Sequence, residues 1–211
     1  MHSACDALKQ LREGNERFTA NVRSIDSLLS YTQRANLAKS PQEPIAIILG
    51  CSDSRAPAEL VFDQGLGDLF VIRVAGNIVA PSQVGSVEFA ADRFGTKLVV
   101  VLGHSNCGAI TATLDELQRP TENQSPNLHS IVSRVSPAVR NLLDINPDMP
   151  REELIDKAVR ANVRASCDHL RHGSAILEEL IANNGLLVVG AEYCLETGKV
   201  DFFDDVPAEC E

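Results

Sequence analysis

Short apolar runs alternate along most of the chain with longer, helix-like stretches of mixed polarity. The apolar runs are residues 45–49 (IAIIL), 69–75 (LFVIRVA), 97–102 (KLVVVL) and 186–191 (LLVVGA). The helix-like stretches between them are residues 82–94, 106–118, 128–143 and 151–183, the last with a break at Gly173. Short runs that are rich in Val and Ile favour buried strands. The alternation therefore predicts an α/β fold, with a mostly parallel four-stranded sheet and helices on both of its faces.

The two ends of the chain add segments to this pattern. Residues 4–19 carry apolar side chains near helical spacing and predict an N-terminal helix, and the more polar residues 21–40 predict a second short helix with loops. Residues 1–40 are too weakly apolar for a domain, so we expect one domain over residues 1–211. From its residues alone, this arm packs either on the body or on a partner subunit. Residues 199–205 (KVDFFDD) follow Glu-Thr-Gly and predict an antiparallel edge strand.

Three prolines interrupt residues 106–143, after the third apolar run. They are Pro120, Pro126 and Pro137. Because proline removes a backbone donor and clashes with the preceding turn, residues 106–143 are expected to form a broken helical excursion and not one helix.

Composition and charge exclude several classes of protein. Apolar residues make up 44% of the 211 residues, which indicates a globular chain. The net charge of −10 argues against nucleic-acid and anionic-membrane binders, which present basic surfaces. We see no membrane-spanning run and no secretory signal at the start, so we expect a cytoplasmic protein. Six cysteines in that compartment indicate metal ligands, reactive thiols or small core residues before disulfides.

Two of the predicted strands end in the same way. The run 45–49 leads into Gly50 and Cys51, within the sequence GCSDSR, and the run 97–102 leads into Gly103 and His104, within GHSNCG. Sites in open α/β sheets form at the carboxyl ends of strands, so Cys51, His104 and Cys107 converge if the two strands are near neighbours.

Two cysteines and one histidine are a donor set that suits zinc. Structural zinc takes four protein ligands, whereas catalytic zinc keeps three and leaves a position for water. No fourth ligand stands near these motifs, so an open position is expected. Two thiolates acidify a bound water weakly, and such a site gains from a carboxylate that accepts its hydrogen bond. Asp53 is the candidate for that carboxylate, and Arg55 can pair with it and keep it ionised.

Each motif taken alone also has a structural explanation. Asp53 could cap a helix near residues 57–62 beside a buried core cysteine. In HSNCG, a serine or asparagine could cap a helix next to a small buried cysteine. The remaining cysteines, Cys5, Cys167, Cys194 and Cys210, are expected to be small buried or surface thiols.

The two motifs together resemble the zinc-ligand segments of β-class carbonic anhydrases. The segments DQGLGDLFVIRVAGN (63–77), GSVEFA (85–90) and KLVVVLGHSNCGAI (97–110) are similar to that family as well. The resemblance runs from Gln42 to about Thr113 and, more loosely, through GLLVVGAEYCLETGKV to the end. It implies an enzyme with one Zn²⁺ per subunit that interconverts carbon dioxide and bicarbonate. It also implies a homodimer or homotetramer in which the N-terminal arm packs on a partner subunit.

Residue roles follow from this resemblance position by position. Cys51, His104 and Cys107 match the zinc ligands, and Asp53 and Arg55 match the dyad that orients the zinc-bound hydroxide. Further positions match the substrate-binding cleft of the plant-like branch: Gln42, Phe70, Phe89 and Gly108. Phe89 stands where many plant-like members have tyrosine, so it cannot donate the corresponding hydrogen bond.

One position separates this chain from those members of the family that are built for regulation by bicarbonate. Those members hold a regulatory bicarbonate with a tryptophan, an arginine and a tyrosine. Arg73 and Tyr193 match the last two, but Ile48 stands at the tryptophan position and the chain has no tryptophan. We therefore expect no bicarbonate switch, and we expect Asp53 to stay paired with Arg55.

Two alternative functions would use the same zinc site: an inactive scaffold, and a hydrolase of a related substrate such as carbon disulfide.

Overall fold

The computed structural model describes residues 2–22, 31–120, 125–145 and 148–210. Its strands are β1 (Ala46–Gly50), β2 (Leu69–Arg73), β3 (Leu98–His104), β4 (Leu187–Tyr193) and β5 (Val200–Asp204). Its α-helices are α1 (Ala4–Thr19), α2 (Tyr31–Leu37), α3 (Ala58–Val61), α4 (Pro81–Phe94), α5 (Gly108–Gln118), α6 (Pro126–Ile145), α7 (Arg151–His172) and α8 (Ala175–Asn184). Short 3₁₀ turns occupy Ala75–Asn77 and Ala208–Cys210. None of the described helices is both long and apolar enough to cross a membrane.

The five strands form one sheet in the order β2-β1-β3-β4-β5. The first four strands are parallel to one another, and β5 pairs with β4 in the antiparallel direction. This confirms the predicted parallel sheet with an antiparallel edge. Every residue of β1 and of β3 is buried, which explains why these two segments are apolar throughout and do not alternate.

Helices cover both faces of the sheet, as predicted. One face packs Ile48 and Val100 against Leu8 and Leu11 of α1. The opposite face packs its strand residues against α4, α7 and α8, with Val163 of α7 at the centre. Full burial of each Leu or Ile side chain contributes about 1.5–3 kcal/mol, so these two clusters hold the sheet between its helices.

Helix α1 lies on the body of its own chain. Leu8 and Leu11 are fully buried there. A disulfide joins Cys5 to Cys210, and Arg12 donates a hydrogen bond of 2.6 Å to the Cys210 carbonyl. The prediction of free thiols at Cys5 and Cys210 is therefore wrong, because only the fold brings two residues 205 positions apart into contact. The contact of the arm with a partner subunit stays a prediction, and residues 23–30 of the arm lie outside the described residues.

Two predicted helix breaks are confirmed. Helix α7 ends at His172 and α8 begins at Ala175, which confirms the break at Gly173, and residues 106–143 form two helices, since α5 ends at Gln118 and α6 begins at Pro126. Pro137 alone causes no break, because it lies inside the continuous helix α6. Val135 and Val139 on either side of it are fully buried, and this packing offsets the hydrogen bond that proline cannot make.

Candidate metal centre

The two ligand-bearing turns leave neighbouring strands at the same edge of the sheet. Strands β1 and β3 pair directly, with Gly50 opposite Leu102. Cys51 follows the last residue of β1, and His104 is the last residue of β3. Cys107 stands immediately before the first residue of α5. The parallel pairing therefore brings the two motifs together at the carboxyl ends of their strands, as the sequence predicts.

The three side chains have the spacing of a tetrahedral metal site. The sulfurs of Cys51 and Cys107 are 4.0 Å apart. All three ligand atoms of Cys51, His104 and Cys107 lie within 4.8 Å of one another, and all three residues are buried. Two Zn–S bonds of about 2.3 Å at the tetrahedral angle place their sulfurs roughly 3.8 Å apart, so the observed spacing accommodates such an ion with little movement.

The imidazole of His104 has one nitrogen that is satisfied and one that is not. Its Nδ1 lies 2.9 Å from the Ser105 carbonyl, to which the protonated nitrogen donates. Its Nε2 is buried and has no hydrogen-bond partner in the part of the chain that the structure describes. A buried unpaired nitrogen is costly, and this tautomer leaves its lone pair available to a metal. The donor set therefore fits a bound ion.

The two thiols share their protons unequally. The hydrogen bond from Cys107 lowers the pKa of Cys51, and burial opposes this effect. The same hydrogen bond, together with burial, raises the pKa of Cys107. The Gly76 N–H also donates to the Cys51 sulfur at 3.4 Å. The hydrogen bond between the sulfurs therefore favours negative charge on Cys51, and a divalent cation that replaced the shared proton would have two thiolate ligands.

Asp53 and Arg55 form a two-point ion pair beside this group. Arg55 donates from Nε to Oδ1 at 2.9 Å and from Nη2 to Oδ2 at 2.7 Å, and its backbone N–H also donates to Oδ1. These hydrogen bonds hold the pKa of Asp53 well below its usual range, although burial opposes them. Oδ2 lies 3.7 Å from Nε2 of His104, so an ionised carboxylate faces the position that a metal would occupy.

Neither motif serves as a helix cap. Helix α3 begins after Pro57, whose side chain makes no capping hydrogen bond, so Asp53 is not its cap. Helix α5 begins after Cys107, also without a side-chain cap. The capping explanations are therefore wrong: Asp53 pairs with Arg55 instead, and the Ser105 hydroxyl accepts from the Leu195 N–H at 3.0 Å.

Comparison with known proteins identifies the family. A family profile described as carbonic anhydrase matches residues 46–200. The chain belongs to the carbonic anhydrase family. It is 38% identical over 200 residues to carbonic anhydrase 2 of Mycobacterium tuberculosis, covering 95% of this chain and 93% of the relative.

Solved structures place the chain in the β class of the family. A Coccomyxa β-carbonic anhydrase, solved in complex with acetazolamide, is 27% identical, with a TM-score of 0.72 over 93% of this chain and 86% of the other. A tetrameric β-carbonic anhydrase from Sordaria macrospora is 25% identical, with a TM-score of 0.71 over 81% of this chain and 85% of the other. The resemblance stated from the motifs is thus confirmed.

One of the matched cleft positions of this β-carbonic anhydrase lies beside the metal group. Gly108 is the first residue of α5 and directly follows Cys107. Apart from its chain neighbours and its own helix backbone, a Cβ atom at this exposed glycine would meet no atom of the described residues within 4 Å. The space in front of Gly108 is therefore open.

The other three cleft positions do not reach the metal group of the same chain. Gln42 is exposed and precedes β1, whereas Cys51 follows β1, so a strand about 13 Å long separates the two. Phe70 lies three residues before Arg73, the partner of Gly50, and hence about 10 Å from the ligand end of the sheet. The ring of Phe89 lies 6.4 Å from that of Phe70, and 53% of Phe89 is exposed. Their role in the cleft stays a prediction.

Arg73 has a local role that the sequence did not reveal. Its guanidinium donates to the Cys51 carbonyl at 3.0 Å and to the Asp53 carbonyl at 2.5 Å. These bonds fix the loop that carries both the first ligand and the carboxylate. Arg73 is the one charged residue in the predicted strand 69–75, and this charge within an apolar run is the signal that could have indicated the contact.

Proposed function

We propose that this chain catalyses the reversible hydration of carbon dioxide to bicarbonate and a proton, at one Zn²⁺ per subunit. The residues that would hold the ion are Cys51, His104 and Cys107, through two sulfurs and Nε2. The observation that carries the proposal is the buried Nε2 of His104, which has no hydrogen-bond partner among the described residues, lies beside two cysteine sulfurs and has a carboxylate oxygen 3.7 Å away. When bound there, the ion supplies Lewis acidity that makes a water nucleophilic near neutral pH.

The chain's own residues orient the attack. Asp53 is ionised, so it accepts a hydrogen bond from the attacking water and directs the remaining lone pair toward the substrate carbon. Arg55 occupies both carboxylate oxygens and keeps Asp53 in this position and off the metal. Arg73 holds the loop between them through the backbone carbonyls of Cys51 and Asp53. The open space over Gly108 admits carbon dioxide.

We also propose that the protein is a homodimer or homotetramer. Strand β2 is an edge of the sheet in the described residues, and large apolar side chains near it are exposed: Leu60, Leu66 and Phe89. Gln42 and Phe70 lie in the same part of the chain and do not reach their own metal group. A second copy packed on this face would cover the apolar side chains and put these residues in reach of a neighbouring cleft. The tetrameric relative from Sordaria macrospora supports this assembly.

The cytoplasm remains our proposal for the location of the protein. The disulfide between Cys5 and Cys210 argues against this location, because the cytoplasm keeps most cysteines reduced. Cell fractionation, combined with alkylation of free thiols before lysis, tests both the compartment and the state of these two cysteines.

The test of the function is stopped-flow carbon dioxide hydration by the zinc-loaded wild type and by Asp53→Asn, with the zinc content of both measured. We expect Asp53→Asn to retain zinc and to lose about 100-fold or more in kcat/KM, the usual cost of a positioned hydrogen-bonding group. Asp63→Asn is the matched control, because Asp63 also pairs with an arginine, Arg17, at 2.6 Å, but away from the metal group. Its activity should equal that of the wild type.

Two outcomes would contradict the proposal. A wild type that binds zinc but hydrates no carbon dioxide would exclude the function and favour the inactive scaffold. The Asp53–Arg55 pair argues against that scaffold, because a purely structural site has no use for it. Equal rates for the wild type and Asp53→Asn would exclude the role of Asp53. Turnover of carbon disulfide by the same preparation, with no hydration of carbon dioxide, would favour the related hydrolase.

A further inference from the structure

The 3₁₀ turn at Ala75–Asn77 lies between the two cysteine-bearing segments of the site. The Gly76 N–H donates to the sulfur of Cys51 at 3.4 Å. A Cβ atom at Gly76 would lie 3.1 Å from the Cβ of Ala109, two residues after Cys107. The turn therefore contacts one ligand directly and approaches the helix that follows the other.

This turn has a backbone conformation that needs support from elsewhere. Gly76 has a φ of 68° and Asn77 a φ of 41°, so two consecutive residues are left-handed. For a residue other than glycine, this region costs about 1 kcal/mol or more. The Nδ2 of Asn77 adds no hydrogen bond to support the turn, because it is buried without a partner among the described residues.

The support comes from two buried polar side chains on one face of α7. Asn162 donates from Nδ2 to the Gly76 carbonyl at 2.8 Å, and Ser166 donates from Oγ to the Asn77 carbonyl at 3.0 Å. Residues four apart lie on the same helix face, so Asn162 and Ser166 can bind two successive carbonyls of the turn. Asn162 and Ser166 are 2% and 5% exposed, so no water competes freely for these bonds.

Helix α7 itself is anchored close to the histidine-bearing segment. A Cβ atom at Gly103, the residue before His104, would lie 2.6 Å from a methyl carbon of Val163. Only a glycine permits this close approach of α7 to β3. Val163 is fully buried there, and its neighbour Asn162 is consequently held at a fixed distance from the sheet edge that carries the ligands.

We propose that Asn162 and Ser166 are positioning residues for the Cys51 thiolate: they hold the Gly76–Asn77 turn so that its N–H donates to the sulfur. A donated N–H stabilises negative charge on sulfur and fixes the direction of its lone pairs. Loss of either side chain leaves a buried carbonyl unpaired and lets the left-handed turn relax away from the sulfur. This inference rests on the metal centre of the proposed function, and it does not depend on which substrate that centre uses.

The test is a zinc-competition titration with a chromogenic chelator on the wild type, Asn162→Ala, Ser166→Ala and the double variant. We expect each single variant to bind zinc about 10-fold to 100-fold more weakly, the usual cost of removing an outer hydrogen bond of a metal ligand. The double variant should lose less than the product of the two losses, because both residues hold the same turn. In cobalt-loaded protein, the sulfur-to-cobalt absorption band should shift in each variant.

Asn15→Ala is the matched control. Asn15 is also a buried asparagine that donates from Nδ2 to backbone carbonyls, those of Val61 and Gly198. Its replacement should lower the melting temperature without a change in zinc affinity or in the cobalt band. This separates a positioning role from a general loss of stability.

Zinc affinity within about twofold of the wild type in both single variants, or weakened no more than in Asn15→Ala, would overturn the proposal. Should Asn162→Ala fail to fold, Ser166→Ala removes a single oxygen and decides the question alone. Because the titration measures metal and not turnover, a wild type without hydratase activity would refute the proposed function, whereas the zinc affinities would still decide this inference.

Discussion

Opening the Cys5–Cys210 disulfide should lower the stability of the fold by about 4 kcal/mol. The bond links the first turn of α1 to the 3₁₀ turn at the end of the described chain. Two changes open it: a reductant, and the substitution Cys5→Ser. Neither changes a residue of the metal centre, so carbon dioxide hydration at 25 °C should keep its rate.

The magnitude follows from the length of the loop that the disulfide closes. The two cysteines are 205 positions apart, and the chain-entropy treatment gives about 5 kcal/mol for a loop of that size. Measured effects fall below this value when the open form retains structure. Here α1 keeps Leu8 and Leu11 in the core, so we expect about 4 kcal/mol. For a chain of this size, that free energy corresponds to a fall of about 10 °C in the melting temperature.

Thermal unfolding followed by circular dichroism measures this shift in oxidised protein, in reduced protein and in Cys5→Ser. Cys194→Ser is the control, because Cys194 is a free and partly exposed cysteine outside the disulfide, and its variant should melt with the wild type. A fall smaller than about 2 °C in both opened forms would refute the reasoning. So would equal titres of free thiol in the oxidised wild type and in protein treated with reductant.

Three other predictions address the site and the assembly. Arg55→Gln removes two side-chain hydrogen bonds that fix the direction of the Asp53 carboxylate, which stays ionised near neutral pH even at its ordinary pKa. Because the carboxylate is then less well positioned, kcat/KM should fall about tenfold in stopped flow, and an unchanged rate would show that Asp53 needs no partner. Activity should rise with pH between roughly 6.5 and 9, because two thiolates acidify water weakly and Asp53 is ionised throughout; a flat profile counts against this assignment. Phe89→Asp should shift the light-scattering mass toward the monomer, whereas a wild type that is already monomeric would contradict the proposed assembly.

The parts of the fold that the sequence predicts are those set by local pattern. Strands β1 and β3 are buried on both sides, and they consequently appear in the sequence as uninterrupted apolar runs. The ligands follow these runs directly, so the sequence is enough to place Cys51 and His104 at one edge of the sheet. Asp53 and Arg55 can be placed with them, because they lie within the same turn as Cys51.

The parts that escaped prediction depend on contacts between distant segments. No local pattern links Cys5 with Cys210, and no local pattern shows that Val135 and Val139 keep a helix intact through Pro137. Asn162 and Ser166 look like ordinary polar positions of an amphipathic helix, because their partners are backbone carbonyls on another element. Hydrogen bonds to backbone leave no trace in the identity of the residue that accepts them.

The position of β1 and β3 inside the sheet also bears on how fast the protein can exchange its metal. Both strands are paired on each side and fully buried, and such segments open only with the whole fold. Cys51 and His104 are attached to these strands, so a local fluctuation frees at most the Cys107 side of the site. Release of an ion bound there to a strong chelator should then be slower than release from a site whose ligands all lie on loops.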